Sequence, residues 1–134
     1  KPGDSGLDLY ACLPDGSMLI GREQWMVIPT GIAIELPPVL PRAYPCAKGF
    51  EAQVRPRSGL AKRGTIGVFG TVDNGFRGTI GIILHNIGDS VFEVKHGDRI
   101  AQLVVAPVVY PEVIEVYELS ETELGAGGFG STGV

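Results

Sequence analysis

"TIGVFGTVDNGFRGTIGIILHN" spans residues 65–86 and places an Asn-Gly pair between two apolar runs. Asn-Gly in this setting is the strongest short-range signal for a β-hairpin, because both residues tolerate the left-handed backbone of tight hairpin turns. We therefore predict a hairpin whose turn is "DNGF", residues 73–76. Asp73 needs a separate explanation, since the following run supplies no second residue at metal-ligand spacing. An aspartate held on a hairpin turn is a candidate functional residue.

Short apolar runs rich in Val and Ile recur along the chain, separated by many of its 20 glycines and 10 prolines. The runs predict strands at residues 25–36, 50–54, 65–72, 79–86, 90–94 and 99–110. In "GFEAQVRP" the apolar side chains alternate, so they share one face of a strand. "SGLAKRG" (58–64) predicts only a turn or two of helix, with Ser58 as N-cap and Gly64 as the stop. Such a pattern is typical of an all-β sandwich or barrel.

The bulk composition limits the class of protein and its partners. The chain has 134 residues, 44% of them hydrophobic and 19% charged, which fits one globular domain. Its formal net charge of -4 does not favour long-range attraction of nucleic acid. No apolar stretch approaches the ~20 residues that span a bilayer. We therefore expect neither nucleic acid nor a membrane as partner.

The two cysteines and two histidines do not form a zinc-binding set. Cys12 and Cys46 are expected to be free thiols in a reducing, intracellular compartment, either cytoplasmic or nuclear, with one disulfide as the open alternative. His85 and His96 are expected to be structural or surface residues, because neither stands at ligand spacing from another candidate.

Two stretches break the strand pattern. The proline-rich "LPPVLPRAYPCAKG" (36–49) cannot lie in a central strand, so a surface loop is expected. The C-terminal "GAGGFGSTGV" (125–134) has too much glycine to hold a fixed fold alone. It is either a frayed tail or an arm that orders on a nucleotide. Glycine-rich backbone with hydroxyl groups suits phosphate, and Phe129 could stack on a base.

A cluster of basic residues in "RPRSGLAKRG" (55–64) is a candidate anion-binding site in this acidic chain. The Ser58 and Gly59 amides would lie at the start of the predicted helix, where unpaired N–H groups attract anions. Arg57 adds a fork-shaped charged donor. The alternative is a solvated basic turn.

Two polar residues interrupt apolar strand patterns elsewhere in the chain. Asp8 lies within "SGLDLYA" (5–11), and Gln102 lies within "GDRIAQLVV" (97–105). A polar side chain inside a sheet needs a partner, and one such residue is ordinarily just a satisfied polar group. Two of them, together with Asp73, indicate a site.

The five stretches "SGLDLYA", "PRSGLA", "GTVDNGFRG", "GDRIAQLV" and "GGFGSTG" resemble, in this order, the five motifs of the trimeric dUTPases, the dUTP diphosphatases. The resemblance runs from residue 5 to residue 133. It implies a jelly-roll-like β-barrel over residues 1–124 and a homotrimer. It also implies that residues 125–134 form a glycine-rich arm, which closes over an active site built by the other two subunits.

The same resemblance implies an activity. Members of this family hydrolyse dUTP to dUMP and pyrophosphate, with Mg²⁺ bound by the triphosphate. The reaction keeps uracil out of DNA and supplies dUMP for dTMP synthesis. Asp73 would act as general base and hold the water that attacks the α-phosphorus. The backbone of Gly70, Thr71 and Val72 would line a slot for uracil. Phe76, at a position where the family usually has Tyr, would pack under deoxyribose and leave no room for a 2′-hydroxyl.

The other motifs supply the phosphate contacts that the resemblance implies. Arg57, Ser58 and Gly59 would bind phosphates, with Ser58 bridging toward the scissile linkage. Gln102 would contact a phosphate oxygen and the catalytic water. Asp8 would either support the water shell of the metal or orient Arg57. In the arm, Phe129 would stack on uracil, and the outer phosphates would be approached by Gly130, Ser131 and Thr132.

The chain departs from the family pattern at three places. Leu124 stands where the fifth motif usually begins with Arg, and losing a charge-assisted hydrogen bond costs roughly 1.5–3 kcal/mol. Gly67 stands where some members read uracil with an Asn side chain, so recognition would rest on backbone. The stretch at residues 37–48 is longer than the usual link between its flanking strands. It is a candidate contact site for a protein partner.

Two other functions remain as alternatives. A dCTP deaminase would share the fold, but it needs a glutamate base beside the cytosine amine, and "TVDNGF" contains none. A dUTP-binding module with weak catalysis would act by contacting other proteins, as virus-encoded relatives of this fold can do. The missing arm arginine and the long proline-rich stretch are compatible with this second alternative.

Overall fold

The computed structural model describes residues 3–37 and 49–127 of the chain. This part consists of short strands and a single helical turn, and no helix in it is long and apolar enough to cross a membrane. The elements, in chain order, are β1 (Leu7–Tyr10), β2 (Ser17–Ile20), β3 (Trp25–Pro29), β4 (Gly49–Arg55), α1 (Ser58–Ala61), β5 (Thr65–Gly67), β6 (Gly70–Val72), β7 (Gly81–Asn86), β8 (Phe92–Lys95) and β9 (Arg99–Val108).

The strands form three antiparallel sheets. The largest has the order β1-β9-β4-β6, a second contains β2 and β8, and the third has the order β3-β7-β5. β9 is the longest strand and pairs with β1 on one side and β4 on the other. The predicted alternation in β4 is confirmed, because Phe50, Ala52 and Val54 are buried while Gln53 and its polar neighbours are only half-buried.

One hydrophobic core joins the three sheets. Its largest fully buried apolar side chains are Leu9, Ile20, Ile28, Ile82, Leu84, Val94 and Ile100. Because these residues come from all three sheets, the sheets enclose a single interior, as a jelly-roll-like β-barrel requires. The predicted all-β fold class is therefore confirmed.

Asn86 is a buried polar residue that ties two sheets together at the end of β7. Its Nδ2 donates to the carbonyl oxygens of Ile20 (2.9 Å) and Ser90 (2.8 Å). Its Oδ1 accepts from the backbone N–H of Gly88 at 3.1 Å. The amide is therefore well satisfied, and it fixes the turn after β7 against β2.

The predicted hairpin at "DNGF" is wrong in its pairing. The turn itself forms, since the N–H of Phe76 donates to the carbonyl of Asp73 at 3.0 Å. The strands on either side lie in different sheets, because β6 pairs with β4 whereas β7 pairs with β3 and β5. The predicted strand at residues 65–72 is thus two strands. Its first part pairs with β7, and its second part leaves that pair to complete the edge of the largest sheet.

The apolar run at residues 25–36 also divides. Only Trp25–Pro29 forms a strand, and Pro29 ends it because proline cannot donate a ladder hydrogen bond. Strand β2 was not predicted, since it has four residues and Ile20 is the only buried one. A single buried position gives no periodicity to recognise.

The cap of the helix lies one residue earlier than predicted. The N-cap is Arg57, in extended conformation, and not Ser58, which is the first helical residue. The reason is that the Arg57 carbonyl already accepts from the N–H groups of Leu60 and Ala61, both at 3.1 Å. α1 ends at Ala61, three residues before the predicted stop at Gly64, but Gly64 ends the turn that follows the helix. Its φ is +79°, and a Cβ there would lie 2.6 Å from the Cα of Gly88, so only glycine fits.

The segment after β9 carries exposed apolar side chains. Residues 109–127 form neither helix nor strand, and Val113 is 90% exposed. Other large apolar side chains exposed in this segment are Val109, Tyr110, Ile114, Val116, Tyr117, Leu119 and Leu124. The strands thus end well before the predicted domain boundary at residue 124, which stays a prediction.

Candidate active site

The turn that carries Asp73 forms one wall of a small cavity of about 220 Å³. The cavity is lined by Thr71, Val72, Asp73, Phe76, Thr79, Ile80 and Gly81. The structure thus brings together two of the three predicted slot residues, Thr71 and Val72, with Asp73 and Phe76. Gly70 lies one residue outside this wall, in β6, opposite Val54. Asp73 is exposed, and among the described residues that line the cavity it is the only ionisable one.

Phe76 also lines this cavity and is 45% exposed. Gly78 allows the ring to lie close to the backbone, because a Cβ there would be 2.6 Å from the Phe76 Cζ. The flat ring limits the space available to any molecule bound in the cavity.

The opposite wall of this cavity was missed by sequence reasoning. Thr79, Ile80 and Gly81 belong to the run that we predicted to be a strand from residue 79, but β7 begins only at Gly81. Ile80 is instead held by irregular pairing, in which its N–H donates to Ile32 O (2.9 Å) and its carbonyl accepts from Thr30 N–H (3.2 Å). Only the tertiary position of the 30–32 segment reveals this wall.

A second cavity, of about 430 Å³, gathers the polar residues of the remaining motifs. It is lined by Asp4, Ser5, Gly6, Asp8, Arg55, Arg57, Arg99, Gln102 and Val104. Asp8 and Gln102 are cross-strand partners in the β1–β9 pair, and Gln102 also faces Arg55 of β4. Three arginines give this cavity a cationic character suited to phosphate.

Asp8 lies between two of these arginines. Its Oδ1 is 3.4 Å from Arg57 Nε, and its Oδ2 is 3.4 Å from Arg99 Nη1. The side chains of Asp8 and Arg57 are only 26% and 24% exposed. Arg57 Nη1 also donates to the Arg99 carbonyl at 3.0 Å. This hydrogen bond, together with the nearby Asp8 carboxylate, orients the Arg57 guanidinium.

The start of α1 lies beside Arg57. With four residues, α1 has too small a dipole to attract an anion by itself, so the charge must come from the arginines. Gly59 lines a third cavity, of about 340 Å³, together with Arg57, Arg63 and Arg99. Arg99 was missed by sequence reasoning. Its only signal is that it precedes Gln102 by three residues in the same motif.

The two principal cavities are far apart on one chain. Strands β9 and β6 flank β4 on opposite sides. Gln102 of β9 faces Arg55 of β4, whereas Val72 of β6 faces Ala52, three residues earlier along β4. Strand geometry of ~3.4 Å per residue and ~4.8 Å between strands puts the Val72 and Gln102 Cα atoms about 14 Å apart, and Asp73 lies farther still. One water molecule needs both partners within about 3 Å. Asp73 and Gln102 of the same chain therefore do not hold one water.

The remaining predicted residues stand as follows. Phe129, Gly130, Ser131 and Thr132 lie outside the described residues, as does Cys46. Cys12 carries a free thiol. His96 accepts a hydrogen bond from the N–H of Leu13 through Nδ1 at 3.0 Å, and His85 is half-buried on β7. Over residues 3–37 and 49–127, no three residues of the His, Cys, Asp and Glu types are arranged to hold a metal ion.

Comparisons with known proteins agree on one family. The sequence profile of the dUTPase family matches residues 1–133. A deoxyuridine 5′-triphosphate nucleotidohydrolase of Beijerinckia indica is 50% identical, over 98% of this chain and 78% of the relative. The corresponding protein of Gloeothece citriformis is 52% identical, over 98% of this chain and 83% of the relative.

Solved structures share the fold. The dUTPase of Staphylococcus bacteriophage 80alpha, solved with dUPNHPP, aligns with a TM-score of 0.84 over 100% of this chain and 89% of that chain, at 24% identity. A phage phi11 dUTPase, described with a structural Mg(II) ion, aligns with a TM-score of 0.72 over 88% and 86% of the two chains, at 21% identity. With its profile match and its close relatives, this chain belongs to the dUTPase family.

Proposed function

We propose that this protein hydrolyses dUTP to dUMP and pyrophosphate through attack of one water molecule on the α-phosphorus. The observation that carries this proposal is the small cavity in which Asp73 is the only ionisable residue among the described lining residues, in a chain of the dUTPase family. Asp73 holds the water and accepts its proton, a form of general-base help typically worth ~10²–10⁴-fold. The reaction keeps uracil out of DNA and supplies dUMP for dTMP synthesis.

The walls of the cavity set the specificity for uracil and deoxyribose. The extended backbone of Thr71 and Val72 offers N–H and C=O groups to the edge of a pyrimidine, since β6 is an edge strand. Gly70 contributes to this edge from its place in β6. Phe76 packs under the sugar and excludes a 2′-hydroxyl by shape. The narrow cavity excludes the thymine methyl group by the same means.

The arginine-rich cavity binds the triphosphate. Arg57 lines both this cavity and the third one, and it meets phosphate oxygens together with the backbone of Gly59 in the third cavity. The neighbouring Ser58, which lines neither cavity, adds its backbone N–H and bridges toward the scissile linkage. Gln102 donates to a phosphate oxygen and helps to orient the water. These donors stabilise the charge that develops during attack. The contact of Asp8 with two guanidinium groups supports the positioning of Arg57 as its role, rather than the support of a metal's water shell.

Each active site is built by more than one subunit of a homotrimer. The separation of Asp73 from Gln102 supports this proposal, because the two cavities meet only if a second copy brings its own arginine-rich cavity to the Asp73 turn. The exposed apolar side chains of residues 109–119 also support it, since such a surface is typical of protein interfaces. Residues 125–134 then form the closing arm, in which Phe129 stacks on uracil and Gly130, Ser131 and Thr132 approach the outer phosphates.

The proposed cofactor is a magnesium ion, which would be bound together with the substrate. The described carboxylates do not form a metal cluster, and Asp8 is already engaged by two arginines, so the residues fit an ion held by phosphate oxygens rather than by the protein. The bound ion supplies partial neutralisation of the triphosphate.

We further propose a reducing, intracellular location, which the free Cys12 thiol supports. A protein partner for residues 37–48 remains a prediction, and this stretch lies outside the described residues apart from Pro37.

Release of pyrophosphate from dUTP, dCTP, dTTP and UTP, measured in parallel with and without Mg²⁺, tests the proposed function. We expect rapid release from dUTP with Mg²⁺ and little release from the other three nucleotides. Ammonia release from dCTP would instead indicate a deaminase. Tight binding of dUTP without pyrophosphate release would indicate a binding module.

A further inference from the structure

The turn between β6 and β7 has little regular hydrogen bonding of its own. Residues 73–80 belong to no strand, and one backbone bond, from Phe76 N–H to Asp73 O, closes the turn. A segment of this kind does not hold a carboxylate and a ring to the precision that catalysis needs. Something outside the turn must fix Asp73 and Phe76.

Asn74 provides the first external anchor. Its Nδ2 donates to the carbonyl oxygen of Pro37 at 3.1 Å and to that of Phe50 at 3.3 Å. The residue directly after Asp73 is thereby tied to the segment that follows β3 and to the start of β4. Both hydrogens of the side-chain amide are used, and the side chain is half-buried.

Arg77 provides the second anchor. Its Nη1 donates to the carbonyl oxygens of Asn74 (2.6 Å) and Phe76 (3.0 Å). Its Nη2 lies 3.2 Å from Glu35 Oε1. The guanidinium thus clamps the backbone on both sides of Gly75 and attaches it to Glu35, which precedes Pro37 by two residues. Both anchors therefore attach the turn to the same short segment, residues 35–37.

We propose that Asn74 and Arg77 are positioning residues, which fix Asp73 and Phe76 against the 35–37 segment and so set both turnover and discrimination between nucleotides. The proposal rests on the proposed function. A misplacement of about 1 Å in a reacting group costs about 10²-fold in rate. The same displacement of the Phe76 ring opens room for a 2′-hydroxyl. Loss of either anchor therefore lowers the rate with dUTP and raises the relative rate with UTP.

The test compares Asn74→Asp, Asn74→Ala and Arg77→Gln with the control Arg22→Gln. Arg22 lies before β3, at the other end of the β3–β7 pair, and makes an exposed 3.8 Å contact with Asp89. The values of kcat and KM for dUTP, UTP and dTTP are measured for each variant. We expect kcat for dUTP to fall about 10- to 100-fold in the Asn74 variants, and the dUTP-to-UTP ratio of kcat/KM to fall about ten-fold or more. Arg22→Gln leaves both quantities within about two-fold.

A purely structural role predicts a different result. Loss of folded protein lowers activity toward every nucleotide equally, so unchanged dUTP-to-UTP and dUTP-to-dTTP ratios in all three variants would overturn the proposal. Thermal unfolding identifies any Asn74 variant that does not fold. In that case Arg77→Gln tests the proposal, because the Arg77 side chain is half exposed and can be replaced with little effect on the core. Absence of dUTP hydrolysis in the unmodified protein would refute the proposed function itself, and with it this proposal.

Discussion

Replacing Asp73 by Asn removes the candidate base and leaves the turn intact. The hydrogen bond that closes the turn uses the Asp73 carbonyl and the Phe76 N–H, and Asn retains both the carbonyl and the side-chain shape. No other ionisable side chain lines the cavity along the described part of the chain, so no second base is available there. We therefore expect kcat to fall about 10³–10⁴-fold, the upper half of the usual range for general-base help.

The assay separates chemistry from binding. Pyrophosphate release gives kcat, and calorimetric titration with dUPNHPP gives affinity, which we expect to change by less than about three-fold because the walls of the cavity are unchanged. Asp89→Asn is the matched control, since Asp89 is an exposed carboxylate whose ion-pair partner is Arg22. Turnover of Asp73→Asn within a few-fold of the unmodified protein would refute the assigned role. A large loss of affinity would show instead that the carboxylate acts in binding.

Other parts of the molecule give four further expected outcomes. Asn86→Ala removes the three hydrogen bonds of a buried side-chain amide and should lower the free energy of unfolding by about 2–4 kcal/mol in urea titrations. A loss below about 0.5 kcal/mol would contradict the stabilising role of the Asn86 amide. Leu124→Arg should lower KM for dUTP about ten- to a hundred-fold, the equivalent of one charge-assisted hydrogen bond, whereas an unchanged KM would show that the position does not reach the phosphates. Deleting residues 125–134 should abolish activity and leave the fold intact by circular dichroism, and full activity would show that the arm is only a tail. Ser17→Ala should raise the pKa of Glu93 in NMR titrations, because the Ser17 hydroxyl bond, followed by Lys95, holds it below its ordinary value. The lowered pKa means that the Glu93 contribution to stability is present at neutral pH and is lost as the pH falls through the folded-state pKa. An unchanged Glu93 pKa in Ser17→Ala would show that the Ser17 hydroxyl does not lower it.

Local patterns predicted the parts of the fold that depend on neighbouring residues. The buried face of β4 follows from strict alternation, and the end of the turn at Gly64 follows from a backbone conformation that only glycine adopts at low cost. The hairpin at residues 73–76 was wrong because the turn signal is local whereas the choice of partner strand is not. β7 is already paired with β3 on one side and with β5 on the other, so β6 pairs with β4 at the edge of the largest sheet.

Many residues of the candidate site were predicted individually, although Arg99 and the wall formed by residues 79–81 were missed, and the arrangement of the site was not predicted. Asp8 stood out as a polar residue in an apolar strand, but its contacts with Arg57 and Arg99 join residues about 50 and 90 positions apart. Asn74 signalled a turn, but the anchoring contacts of Asn74 and Arg77 could not be predicted, because turn residues are polar whether or not they bond elsewhere. Most of their partners are backbone carbonyls, which no sequence pattern marks.

Subunit complementation tests the central claim most directly. Asp73→Asn and Arg57→Gln chains, inactive alone, are co-refolded at equal amounts, and the pyrophosphate release of the mixed trimers is measured. If each site takes Asp73 from one chain and Arg57 from its neighbour, random assembly leaves about one quarter of the sites intact, so about a quarter of the unmodified activity returns. A site contained within one chain is never intact in such a mixture, and activity no higher than that of either variant alone would contradict the account.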